Sequence, residues 1–118
     1  MMNAYLQVAI GGAIGATARF AVYQVASLWT APISTLLINV VGSFAMGVLA
    51  YRIGPAYAPL LMAGVLGGFT TFSAFSLDAL SLWNRGLSYA AIGYVVLSVV
   101  LSLIAVGVGM ALGKGLWA

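Results

Sequence analysis

The chain has 118 residues, of which 64% are hydrophobic and 4% charged, the charges being Arg19, Arg52, Asp78, Arg85 and Lys114. A water-soluble domain carries charge on roughly a quarter of its residues, so this chain cannot coat a water-facing shell, and the bilayer is the solvent that suits it. A net charge of +3 is too dispersed for a nucleic-acid surface, which needs clustered Lys and Arg. The lack of Cys and His removes disulfides, thiolate metal sites, cysteine nucleophiles and the usual proton shuttle, leaving almost no chemistry on which to build an enzyme.

A membrane-spanning helix needs about 20 mostly apolar residues. Such stretches lie at about 4–28, 33–52, 57–82 and 88–113. The opening Met1-Met2-Asn3-Ala4 has no basic n-region, so the first stretch reads as a mature helix and not a cleaved signal peptide. Pro32 and Ser34 follow the first span, Gly54-Pro55 the second and Asn84-Arg85-Gly86 the third, the punctuation expected of short loops. The expected fold is all-α, a single four-helix transmembrane domain over residues 1–118, multi-pass in the inner membrane.

Arg52 and Lys114 fall on one side of such a bundle and Arg85 on the other, joined by Arg19 if that side chain is not interior, which sets no useful orientation bias. Either the charges are too few to judge, or the protein inserts both ways and pairs head-to-tail. The 15 glycines include Gly11-x-x-x-Gly15, Gly12-x-x-x-Ala16, Ser43-x-x-x-Gly47 and Gly109-x-x-x-Gly113, each placing small side chains on one helix face for close packing. A bundle this small has little interior, so a solute pathway belongs at a subunit interface.

Polar groups inside the spans are costly and each is a candidate for function. In the first span Arg19 either snorkels to the interface or acts as an anion-attracting or network-organising charge. In the second, Asn39 is either helix glue or a source of N–H donors for a dehydrated anion, with Ser43 one turn on. The third span holds Gly67-Gly68-Phe69-Thr70-Thr71, poor mid-membrane helix because of its glycines and β-branched residues. A break there frees carbonyls, natural ligands for a hard monovalent cation. Phe72 and Phe75, three apart on one face and interleaved with Ser73 and Ser76, are either ordinary packing or a pair whose electropositive ring edges help hold an anion. In the fourth span Tyr94, Ser98 and Ser102 recur every four residues and form one hydroxyl track, unless each merely bonds back to its own helix.

Gly11-Gly12-x-x-Gly15-Ala16-x-x-Arg19, Leu37-Ile38-Asn39-Val40-Val41-Gly42-Ser43-Phe44 and Gly67-Gly68-Phe69-Thr70-Thr71-Phe72-Ser73-Ala74-Phe75-Ser76 together resemble the CrcB/Fluc fluoride channels across nearly the whole chain. The resemblance implies a passive fluoride-selective channel that exports fluoride from the cytoplasm. It implies an antiparallel, dual-topology homodimer with a third helix broken mid-membrane, two pores at the dimer interface and a structural sodium ion as cofactor. On it, the carbonyls of Gly67 and Thr70 hold sodium, while Asn39, Phe72, Phe75, Ser76, Tyr94, Ser98, Ser102 and Arg19 belong to the fluoride pathway. Two departures stand out: Ala74 where Thr is common, and Asp78 where a glutamate is usual, its carboxylate shorter in reach by one methylene.

Two other classes fit the outline less well. A proton-coupled exporter resembling the small multidrug-resistance transporters needs a carboxylate deep in the first span, where this chain has Arg19. A non-transporting assembly subunit leaves the awkward third span unexplained.

Overall fold

The computed structural model describes residues 2–25 and 31–115. Among them are helical spans long and apolar enough to cross a membrane at Ala4–Val25, Pro32–Arg52, Pro59–Asn84 and Ser88–Lys114. Helix α1 is Ala4–Val25 and α2 is Ala31–Arg52, each 22 residues. At 1.5 Å per residue each reaches about 33 Å, matching a hydrocarbon core of about 30 Å. The sequence extends the first span to about residue 28; residues 26–28 lie outside the described residues. The second span takes in Pro32 and Ser34, which the sequence assigns to the preceding break. Proline is tolerated in a first helical turn because its missing N–H has no intrahelical partner to lose.

The third span has three parts: a π-helical segment Pro59–Leu66, a short α-helical turn α3 (Gly67–Phe69), and α4 (Phe72–Asn84). Between α3 and α4 the chain is extended, with Thr70 at φ −80°, ψ 156° and Thr71 at φ −150°, ψ 114°. Within the stretch Gly67–Thr71 that the sequence marks as weak, Gly67 and Gly68 are helical. The interruption falls on the β-branched pair at its end, whose side chains suit extended backbone. Arg85-Gly86-Leu87 then turn into α5 (Ser88–Lys114), with Gly86 at φ +80°, a left-handed conformation that glycine adopts without a Cβ clash.

Small residues decide the packing. α1 lies parallel to the π segment and α3: a Cβ on Gly11 would overlap the Leu60 carbonyl, and one on Gly15 the Val65 carbonyl. α2 lies parallel to α5 in the same manner, with Gly47 against the Val106 carbonyl, Gly109 against that of Phe44, and Gly113 against that of Val48. Backbone thus meets backbone, the arrangement that gives dispersion contact and Cα–H···O approach where no hydrophobic driving force exists. Each pair runs opposite to the other, so Arg52 and Lys114 share one end and Arg85 marks the opposite one.

The molecule measures 51 × 33 × 21 Å. Its least dimension is about two helix diameters, so it is a slab with little interior. Buried apolar residues are few, among them Ile38, Leu66, Phe75 and Tyr94, and they share the interior with buried Gln7, Ser34, Thr35, Thr71 and Ser98. Phe20, Leu103 and Ile104 are exposed, the distribution expected when the solvent is lipid. Tyr5 and Tyr57 near one end, and Trp83 and Tyr89 near the other, are also exposed, where interfacial aromatic rings belong.

Candidate functional site

The extended threonines redirect the hydrogen bonds around them. In a continuous helix the Thr71 N–H would bond the Gly67 carbonyl; here it donates to Asn39 Oδ1 at 2.8 Å. The Ala74 N–H, helical partner of the Thr70 carbonyl, donates to Thr71 Oγ1 at 3.1 Å and caps α4. Asn39 Nδ2 donates in turn to the Thr71 carbonyl at 3.1 Å. Asn39 therefore grips both backbone polar groups of Thr71, much as a neighbouring β-strand would. Gly42, one turn along α2, admits Thr70: a Cβ there would overlap Thr70 Cγ2. From α1, Arg19 Nε donates to the Gly68 carbonyl at 3.1 Å.

A surface-opening groove of about 420 Å³ starts at this interruption, walled by Asn39, Ser43 and Met46 of α2, Phe72 and Phe75 of α4, and Ser98 and Ser102 of α5. Phe75 is 9% exposed and Phe72 78%; their ring centroids are 5.4 Å apart at a 48° tilt. Ser98 is 6% exposed, and its Oγ is buried with no hydrogen-bond partner. Serines in membrane helices ordinarily bond back to their own backbone, and an unmet buried polar atom costs about 1–3 kcal/mol. An unmet hydroxyl on the wall of a groove is a donor in waiting.

Behind the groove runs a hydrogen-bonded chain. Tyr94 packs against Phe75 at a 45° tilt, with centroids 5.4 Å apart, and its hydroxyl donates to Asp78 Oδ2 at 3.2 Å. Thr35 Oγ1 donates to the same oxygen at 2.7 Å and lies 2.7 Å from the Tyr23 hydroxyl. Asp78 thus stands in the middle of α4, one carboxyl oxygen accepting from hydroxyls of α2 and α5.

Asn39, Phe72, Phe75, Ser98 and Ser102 are therefore brought together, and Thr70 borders them. Tyr94 lies one layer behind, with its hydroxyl committed to Asp78. Ser76 is not gathered in. One residue past Phe75 is a turn of about 100°, which places Ser76 on a separate apolar groove with Leu80, Trp83 and Val95, its Oγ bonded back to the Phe72 carbonyl at 2.9 Å. Arg19 is likewise absent from the groove wall and holds backbone instead. Asn39, which the sequence leaves open between helix glue and a source of N–H donors, spends its oxygen and one N–H on Thr71. Residues that the sequence reading passed over are Thr35, Tyr23 and the capping role of Thr71. Only the last has a local signal, a threonine three residues ahead of the amide it caps.

Four apolar spans with their polar groups concentrated at one helix interruption and one groove define a multi-pass membrane protein. Residues 6–110 match the family described as CrcB-like protein, Camphor Resistance (CrcB), and the chain belongs to that family. A relative from Paracoccus denitrificans named Fluoride-specific ion channel FluC is 51% identical, with all of both chains covered. Proteins of the same name from Cereibacter sphaeroides and Saccharophagus degradans are 52% and 45% identical, covering 98% and 95% of this chain and 98% and 90% of theirs. These are names of channels and not of enzymes.

Proposed function

We propose that the protein is a passive, fluoride-selective ion channel of the inner membrane that releases fluoride from the cytoplasm, and that it works as an antiparallel, dual-topology homodimer with two pores at the interface. The observation that carries the pathway is the unpartnered, buried Ser98 hydroxyl beside Phe75 on the groove wall. Fluoride is small and strongly hydrated, so a selective path must replace its water with close donors. Ser98, Ser102 and the remaining Asn39 N–H supply partial charges, as do the edges of Phe72 and Phe75, without a full charge that would trap the ion. The N-terminus of α4 opens beside them at Phe72 and adds the positive end of a helix dipole.

Two features favour a second copy. A groove of about 420 Å³ has room for on the order of ten waters, too wide for close coordination until another wall narrows it. Phe72, 78% exposed, is placed to serve as part of such a wall for a partner.

The structural sodium ion belongs to the same reading. The Gly67 and Thr70 carbonyls have lost their helical amide partners to Asn39 and Thr71, and Gly67 is exposed in the single chain. Free carbonyls are not tolerated against lipid. Hard cations gather about six oxygens; the two carbonyls of one chain fall far short, and a second chain brings the number to four, leaving the rest of the shell to other oxygens. Among the described residues no group of three or more His, Cys, Asp or Glu offers an alternative metal site. Bound there, sodium supplies a fixed positive charge that offsets the cost of anions in a low-dielectric interior.

Efflux from liposomes tests the reading, with fluoride and chloride electrodes side by side and sodium present. Rapid valinomycin-dependent fluoride loss with chloride retained is expected; folded dimer that releases no fluoride refutes it.

A further inference from the structure

We propose that Arg19 is a positioning residue for the cation site: its guanidinium pins the Gly68 carbonyl and thereby sets how the neighbouring Gly67 and Thr70 carbonyls are presented. This rests on the sodium reading above. The contact is built by close backbone approach. A Cβ on Gly68 would lie 2.7 Å from the Gly12 carbonyl oxygen and 3.1 Å from the Ala16 nitrogen. α1 therefore runs directly against α3, and Arg19, one turn beyond Gly15, reaches the Gly68 oxygen at 3.1 Å.

In a continuous helix the Phe72 N–H would take that carbonyl. With Thr70 and Thr71 extended, Arg19 takes it instead. Gly67-Gly68 is the stretch of this span with the greatest backbone freedom, because neither residue has a Cβ to restrict φ and ψ. Fixing the Gly68 peptide removes much of that freedom from the peptide beside it, whose oxygen is the Gly67 ligand. It also withdraws one carbonyl from the cation, leaving those of Gly67 and Thr70 to it. An N–H directed from the depth of the Arg19 Nε is required for this; a lysine ammonium carries donors, but one atom further from the backbone and without the planar fork. Arg19 is not among the residues that wall the groove of this chain.

The test reads sodium binding without relying on flux. Purified protein in detergent is melted by tryptophan fluorescence while sodium chloride replaces N-methyl-D-glucamine chloride at constant ionic strength; ligand that binds only the folded form raises Tm as its concentration passes Kd. Arg19→Lys keeps the charge and loses the planar N–H fork. The sodium concentration for a given rise in Tm is expected to increase roughly tenfold or more, the scale of a lost charge-assisted hydrogen bond. Arg19→Gln, which keeps an N–H donor without charge, is expected to fall between wild type and Arg19→Lys, and it carries the same comparison if Arg19→Lys does not fold. Wild-type sodium dependence in Arg19→Lys, or in Arg19→Gln where that variant stands in for it, overturns the positioning role. A wild-type protein whose Tm ignores sodium overturns the cation site and this inference together.

Discussion

Replacing Asn39 with leucine separates two roles that one amide can play. Asn39 accepts from the Thr71 N–H at 2.8 Å and donates to the Thr71 carbonyl at 3.1 Å, and Thr71 is 8% exposed. Leucine fills a similar volume and leaves both backbone groups unpaired. Each unsatisfied buried group costs about 1–3 kcal/mol, whereas interhelical hydrogen bonds in membrane proteins average about 0.6 kcal/mol because unpaired side chains find other partners. The Thr71 backbone cannot do so easily, since its own hydroxyl is already committed to the Ala74 N–H. Groove water recovers part of the loss. The expected destabilisation is therefore about 2–4 kcal/mol for the pair. Unfolding in mixed micelles of increasing dodecyl sulfate content, followed by circular dichroism, measures it. Asn39→Asp retains the acceptor and loses the donor, so it should fall between wild type and Asn39→Leu. If both variants unfold with wild-type stability while fluoride flux drops, Asn39 touches only the passing ion and the clamp reasoning is wrong.

Three further outcomes are expected. Phe75→Ile should abolish fluoride efflux while the protein's elution volume stays that of wild type, because it removes a ring edge from the groove wall; unchanged efflux takes Phe75 out of the pathway. Ser98→Ala should slow efflux roughly tenfold while stability holds or rises by up to about 1–3 kcal/mol, since the hydroxyl it removes has no protein partner; a clear loss of stability would show that the hydroxyl serves packing. Gly15→Ala should cost about 2 kcal/mol or more, as its Cβ meets the Val65 carbonyl and backbone cannot step aside. Gly12→Ala, with open space around its Cβ, should be neutral or slightly stabilising, and equal effects at both glycines would refute the parallel packing of α1 on the third span.

The short-range part of this molecule was legible in its residues. Uninterrupted apolar stretches and the near absence of charge identify the solvent, since lipid penalises unpaired polar groups regardless of fold. The small-residue spacings at Gly11/Gly15 and Gly109/Gly113 mark the faces that meet other backbones. Four-residue spacing put Ser98 and Ser102 on one face, and three-residue spacing did the same for Phe72 and Phe75, because both intervals nearly close a helical turn. That rule reaches only as far as one helix. It turns Ser76 about 100° away from Phe75, but only the assembled helices supply the second groove that Ser76 enters.

What needed the tertiary structure is everything that depends on which polar group finds which partner. Asn39 and Arg19 each had open readings, and their hydrogen bonds to Thr71 and Gly68 come from chain neighbours 32 and 49 residues away. Asp78, the only acid in the chain, acquired its setting from Thr35 and Tyr94 on two other helices. Of the glycines and threonines that propensity marks together, the extended residues are Thr70 and Thr71, because Asn39 supplies Thr71 with the partners an extended backbone needs. Apolar periodicity acts through a uniform solvent and can be read locally; hydrogen bonds in a membrane are sparse, directional and between distant residues, so the assembled helices decide them.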